Sequence, residues 1–321
     1  MSNEQLENTE DKMKATAEND CYFVSSRGLL KSCHIRSPNP HSSCGWDKEY
    51  LNEIVCNPLK QFNHMRIYVC SELLRYFVNT ILQHIHVDFV LLTGDSDLNI
   101  PVDALDAEEL SRLLSNSYLR RWGAQNLMHV SSPKQLQIPI GLDYHTYVAN
   151  PASEWRLPNE STLPVEQDRC LIELRNNSLS FPQRIPKIYT NAQHRLDRFN
   201  DRSKAIQAVQ EASNNLLILE PYIIPRTKVW ENYTKHAFIL SPFGNGFDCH
   251  RTWEALCCGC IVIMRNSFMA PLFEGLPVLN VREWSDINEE LLQKILEEYS
   301  AKTWNYEKLT LQYWLDELHK Y

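Results

Sequence analysis

Apolar residues along this chain fall into two patterns, short continuous blocks and stretches in which they return every three or four positions, and the two alternate. The first suits strands buried on both faces, and the second suits amphipathic helices packed on them. "MRIYVC" (65 to 70) reads as a buried strand, "SELLRYFVNTILQHI" (71 to 85) as a helix capped by Ser71, and "VDFVLLTGDSD" (87 to 97) as a second strand running into a polar turn. That is a strand-helix-strand unit of the parallel kind. A helix over "DAEELSRLLSN" (106 to 116) and the apolar runs "NLMHV" (126 to 130) and "LQIPIGL" (136 to 142) continue the series.

From about 149 to 185 the period disappears and Pro, Ser, Asn and Glu dominate, which reads as a crossing between two units. A second series then begins with the strand "KIYTNA" (187 to 192), the helix "DRSKAIQAVQEA" (201 to 212) and the strand "NLLIL" (215 to 219). It continues through a helix at 228 to 236, the strand "AFILSP" (237 to 242), a helix at about 249 to 258, and the strands "CIVIM" (260 to 264) and "LPVLNV" (276 to 281). The expected organisation is a flexible tail (1–20), an α/β domain (21–150), the crossing (151–185), a second α/β domain (186–301) and a terminal helix (302–321).

Composition narrows the function classes. A 321-residue chain with 43% hydrophobic residues can bury two cores, and its net charge of -8 does not supply the basic field that nucleic acid needs. The opening "MSNEQLENTEDKMKATAEND" is acidic and polar, and no run of about 18 apolar residues occurs, so no membrane span or leader is expected and the expected location is cytoplasmic. Ten cysteines are present, but neither Cys21, Cys33, Cys44, Cys56 and Cys70 nor the cluster Cys249, Cys257, Cys258 and Cys260 has zinc-ligand or disulfide-framework spacing. They read as free thiols.

The densest chemistry lies in "SPFGNGFDCHRTWEALCCGCIVI" (241 to 263), where a strand ends in a turn containing Gly244, Asn245 and Gly246 and a helix follows with His250, Arg251 and Glu254. In open α/β sheets ligands bind outside the carboxyl ends of strands, where glycines admit a bound anion and the first helix amides point at it. Arg251 offers a forked cation for a diphosphate and Glu254 an acceptor for ribose hydroxyls, or the two simply pair with each other on a solvated helix end. Arg202, Arg226 and Lys228 are further phosphate candidates, the last two equally readable as a solvated basic pair. In the first unit Asp95 and Asp97 of "GDSD" read as a metal pair, a catalytic base or a plain turn, while Asp143 and His145 of "IPIGLDYHTY" stand at a strand end where a base could act.

The segment "HAFILSPFGNGFDCHRTWEALCCGCIVIM" resembles the exostosin-like glycosyltransferases, which have the GT-B architecture, most clearly over about 235 to 285. Their serine-arginine pair appears here as His250 and Arg251, and Val262 stands where they usually have proline. The resemblance implies two Rossmann-like α/β domains facing across a cleft. It further implies transfer of a sugar from a nucleoside diphosphate sugar to an acceptor hydroxyl on a glycan, with neither bound metal nor other cofactor. The donor side would be Gly244, Asn245, Gly246, His250, Arg251, Glu254, Arg202, Arg226 and Lys228, and the catalytic side Asp95, Asp143 and His145. It also implies that the terminal segment, with Trp304, Leu311, Trp314, Leu315 and Leu318 at helical spacings, crosses back to hold both domains. The alternative is a nucleotide-sugar binder without this catalysis. A dinucleotide-type epimerase is disfavoured, because neither Gly-x-Gly-x-x-Gly after the first strand nor Tyr-x-x-x-Lys occurs.

Overall fold

The computed structural model describes residues 17–38, 40, 48–57, 65–192, 198–212 and 215–321. Among these residues every named strand belongs to one of two parallel sheets. The first has β1 (Arg66–Cys70), β2 (Phe89–Gly94), β3 (Leu119–Ala124) and β4 (Gln135–Gln137) side by side in that order. The second holds β5 (Ile185–Thr190), β6 (Leu217–Leu219), β7 (His236–Leu240), β8 (Ile261–Arg265) and β9 (Val278–Val281), in the order β6-β5-β7-β8-β9. The chain is therefore an α/β protein of two Rossmann-like units facing across a cleft, the GT-B arrangement.

Strand alternation assigns the faces. Ile67, Val69, Phe89 and Leu91 enter a core confined to the first half, whereas Tyr68, Val90 and Leu92 enter a second core that also takes Tyr189, Ile239, Val262 and Met264 from the other sheet. Phe238, Leu240, Ile261 and Ile263 enter a third, on the far face of the second sheet. One continuous apolar body thus joins the two halves.

Several expectations needed correction. The third strand is Leu119–Ala124, ahead of "NLMHV", of which only Leu127 forms a bridge, to Ile100. Arg120 and Arg121 hide this strand because, although it lies between β2 and β4, their side chains turn away to Asp88 (2.7 Å) and the Pro133 carbonyl (2.9 Å), while the adjacent Trp122 is fully buried. Ser71 is the first helical residue and not the cap, and the helix it opens includes a π segment at Phe77–Ile81. The crossing contains a helix, Pro164–Asn176, whose inward face is partly polar: Asp168 accepts from the Tyr22 and Phe23 amides and from the Tyr144 hydroxyl. That polar face erased the apolar period.

Residues 1–16 of the expected tail lie outside the described residues, whereas Glu18 is buried and paired with Lys31. No helix among the described residues is long and apolar enough to cross a membrane. All described cysteines are free, with Cys44 outside the described residues. Burial raises the pKa of Cys33 to about 12 and that of Cys260 to about 11, so both stay protonated thiols at neutral pH.

The terminal segment touches both halves, although its α-helix covers only Leu311–Glu317. On one side the Leu311 amide donates to Tyr22 and the Val24 amide to Leu309, and a Cβ on Gly123 would lie 2.7 Å from Leu318 Cδ2. On the other side Lys308 Nζ donates to the Glu274 carbonyl (2.8 Å), and the Trp314 ring stands 6.5 Å from Trp253. Replacing the buried Trp314 by Ala is expected to cost about 3–5 kcal/mol, while Gln312→Ala on the exposed face stays within about 0.5 kcal/mol. Urea denaturation of both variants checks this, and equal costs would show that the segment does not hold the fold.

Candidate active site in the interdomain cleft

Counted from β5, the second sheet runs 2-1-3-4-5, so its strand order reverses between β5 and β7. Chains leaving the sheet at that point diverge to opposite faces and open a crevice beyond the carboxyl ends. A cavity of about 330 Å³ lies there. Its walls are Asn191 after β5, Tyr222, Ile223 and Ile224 after β6, and His250, Arg251 and Glu254 after β7, with Arg202 from the helix Asp201–Ala212. Asp143 and Trp155 close it from the other side.

The turn between β7 and the helix His250–Cys257 acts differently from the expectation. Positive φ occurs at Gly141, Gly259 and Gly275 and not at Gly244 or Gly246, so the turn glycines supply space and not an unusual backbone. A Cβ on Gly246 would meet Asn126 Nδ2 at 3.1 Å and Asp97 Oδ1 at 3.2 Å, and one on Gly244 would meet Arg202 Nη2 at 3.2 Å. Gly244, Asn245 and Gly246 do not line the cavity; the turn instead seats the second half on the first. Asp248, which the sequence reading passed over, anchors it: Oδ2 accepts from the Ile140 amide (2.7 Å), Oδ1 accepts from Trp253 Nε1 (2.8 Å), and its own amide donates to Asn126 Oδ1 (3.0 Å). Asp201, fully buried, accepts from the Phe243 amide (2.9 Å) and Trp284 Nε1 (2.9 Å), fixing the start of the turn.

This seating aims the helix His250–Cys257 at the cavity. No side chain caps its amino end, which leaves first-turn amides and the positive end of the helix dipole available to an anion. His250 Nδ1 lies 2.7 Å from the Gly141 carbonyl oxygen. A carbonyl only accepts, so Nδ1 carries the proton and Nε2 is the nitrogen left with a lone pair. Arg251 places one Nη1 contact on the Pro242 carbonyl (3.3 Å) and otherwise lines the cavity.

Arg226 forms the floor. Its guanidinium is buried, stacks on Tyr147 (4.2 Å), pairs with Asp143 Oδ2 (3.0 Å) and Glu254 Oε1 (3.8 Å), and donates to Gln167 Oε1 (3.1 Å) and the Asp143 carbonyl. Burial pushes the Asp143 carboxyl up, but Arg226 and His145 outweigh it and hold it well below the usual carboxylate range. Burial raises Glu254, only partly opposed by Arg226. Burial also pushes His145 down to about 4 against the pull of Asp143, so its imidazole is neutral at pH 7. Its Nδ1 lies 3.2 Å from Asp143 Oδ1, and its ring stands 6.0 Å from His250, behind the cavity wall.

Of the sequence candidates, the cavity collects Arg202, Arg226, His250, Arg251, Glu254 and Asp143. Asp95 is corrected: it is buried in a 3.0 Å ion pair with the equally buried Arg27, which neutralises it away from the cavity. Lys228 is corrected too, since it points to solvent in a 2.9 Å pair with Glu231. Asp97 is exposed, whereas Asp95 is held by Arg27; among the described residues no group of three or more His, Cys, Asp or Glu could hold a metal ion. Trp155 and Tyr222, 36% and 75% exposed, were missed because they lie in segments read as loops, and an exposed aromatic in a loop is the one signal that could have found them.

No family model and no curated protein matches this chain. Solved structures that resemble it include an apo structure of OtsA, at 9% identity over 84% of this chain and 76% of that one, with a TM-score of 0.40. A trehalose-6-phosphate structure from E. coli bound with UDP-2-fluoro glucose gives 9% identity, 85% and 76% coverage and a TM-score of 0.39. AviGT4, a glycosyltransferase involved in avilamycin A biosynthesis, gives 9% identity, 78% and 88% coverage and a TM-score of 0.28. At these TM-scores the likeness carries no argument about chemistry, which rests on the residues above.

Burial raises Asp248 to about 6 from an ordinary 3.8. The folded carboxyl therefore holds its proton more tightly than the unfolded chain does, so its stabilising contribution is full below pH 4 and is lost as pH rises through about 6. The difference in unfolding free energy between wild type and Asp248→Asn should shrink by about 2 kcal/mol from pH 4 to pH 7. His145, which titrates in the opposite sense, is common to both proteins and cancels. Urea denaturation across that range reads the difference, and a pH-independent one would contradict the raised carboxyl.

Proposed function

We propose that this protein is a glycosyltransferase that takes a hexosyl or pentosyl unit from a nucleoside diphosphate sugar and places it on an acceptor hydroxyl of a glycan. The observation that carries the reading is the convergence, at the switch point of the second sheet, of Arg202, Arg251 and an uncapped helix end on a cavity that also holds a carboxylate and two exposed aromatic rings. Two forked cations and free amides suit a diphosphate. Tyr222 and Trp155 offer flat faces for a nucleobase, and Glu254 offers acceptor oxygens for ribose hydroxyls. The exostosin-like subfamily rests on the resemblance over 235 to 285 alone.

In the reaction the acceptor oxygen bonds to the anomeric carbon as the bond from that carbon to the diphosphate oxygen breaks. The electron pair leaves with the diphosphate, where Arg202, Arg251 and the helix amides meet the growing charge. The acceptor proton passes to His250 Nε2, whose partner nitrogen is held by Gly141. Asp143, tied to Arg226, contributes no free base of its own, and burial keeps His145 neutral beside it against the pull of that carboxylate. This moves the base from Asp95, Asp143 and His145 to His250.

A panel of nucleotide sugars incubated with a glycan acceptor, scored for nucleoside diphosphate release, tests the reading. Arg251→Ala is expected to weaken donor binding by roughly 10- to 150-fold, the worth of a charge-assisted hydrogen bond, whereas Lys228→Ala leaves it unchanged. His250→Ala should abolish turnover with donor still bound, and excess EDTA should leave the rate unaltered. Donor binding without release in any combination would favour the non-catalytic nucleotide-sugar binder instead.

A further inference from the structure

At the opposite edge of the second sheet, below the amino ends of β5, β8 and β9, lies an open groove of about 630 Å³. Arg175, Arg184 and Lys302 line it together with Tyr299, Trp304 and Tyr306, and no Asp or Glu does. None of the three cations has an ion-pair partner among the described residues, in a chain whose net charge is -8. Arg175 gives Nη1 to the Leu256 (3.0 Å) and Cys257 (2.8 Å) carbonyls, and Arg184 gives Nη2 to the Cys258 carbonyl (3.0 Å). These contacts cap the carboxyl end of the helix His250–Cys257. Arg184 is buried and also gives Nε to the Leu179 carbonyl (2.7 Å) and Nη1 to the Tyr233 (3.4 Å) and His236 (3.5 Å) carbonyls, so its donors are spent inside the protein. The charge presented to the groove is that of Lys302 and of Arg175, whose helix-end contacts offset only about half an elementary charge.

The aromatic walls are held in place. Tyr299 donates its hydroxyl to the Val278 carbonyl (3.0 Å), Trp304 Nε1 donates to the Tyr299 carbonyl (3.1 Å), and the two rings stand 4.7 Å apart. Lys302 Nζ hovers over both rings, at 4.9 and 5.8 Å from their centres, and the Arg175 guanidinium lies 4.4 Å from the centre of Tyr306. Fixed aromatic faces, serine and threonine hydroxyls and uncompensated cations together match one ligand chemistry. A sugar ring presents an apolar C–H face to an aromatic ring and hydroxyls to polar neighbours, and an acidic substituent answers the cations. A nucleic acid would need a basic field extending well beyond the groove.

We infer that this groove is a second binding site, for an acidic saccharide, on the face of the molecule turned away from the cleft. It is independent of the transfer reaction proposed above, because the probe binds without turnover. The test is calorimetric titration of the full chain with a uronic-acid-containing oligosaccharide, its neutral counterpart and inorganic phosphate. The acidic oligosaccharide should bind saturably, and Trp304→Ala and Lys302→Glu should each weaken it by about tenfold or more. Lys302 is exposed, so its variant keeps the test decisive if Trp304→Ala fails to fold. Equal binding of the neutral counterpart, full displacement by phosphate, or an affinity that neither variant changes would each overturn the inference.

Discussion

A permanently charged guanidinium buried where two half-molecules meet is the constraint around which this structure is arranged. Arg226 begins a helix of the second half, yet its fork reaches Asp143 of the first half and Gln167 of the crossing, and its face lies on Tyr147. Taking such a charge out of water is tolerable only with several well-placed partners, and a guanidinium can serve several at once because its donors are fixed in a plane. Satisfying Arg226 therefore sets Asp143, Tyr147 and Glu254 around one point, and that point is the floor of the cavity. The same requirement explains why the floor carries so much charge in so little space.

Above the floor, the sheet order supplies the opening and the turn after β7 supplies the aim. Without unusual φ, Gly246 lets that turn lie flat against Asn126 and Asp97, Gly244 leaves room for Arg202, and Asp248 ties the turn to the Ile140 amide. The helix that follows thus begins at the cavity with an uncapped end and with His250 held by Gly141. Its other end is capped by Arg175 and Arg184 of the far groove. One helix consequently links the two charged surfaces of the second half.

The helix Asp201–Ala212 and the strands of the second half were legible because their periods are uninterrupted and their ends carry turn residues. The cavity was legible as a neighbourhood for the same reason, since a polar cluster after a buried strand marks a carboxyl edge. What escaped the sequence was pairing at long range. Asp95 looked available because Arg27, its buried partner, lies in a segment with no motif of its own. Asp248 looked like one more turn acid because the amide it serves belongs to the other half of the chain. Local patterns also failed where polar side chains point inward, as Asp168 does in the helix Pro164–Asn176, or where charged side chains turn out of a strand to outside partners, as Arg120 and Arg121 do in β3.

The central claim is that the donor occupies the switch-point cavity of the second half. Amide hydrogen exchange with and without a nucleoside diphosphate sugar that the protein binds tests it most directly. The account predicts slowed exchange in the loop around Tyr222 to Ile224 and in the first turn of the helix His250–Cys257, with residues 299–304 of the far groove unchanged. Protection confined to the far groove, or none near His250 and Arg251 at saturating donor, would contradict it.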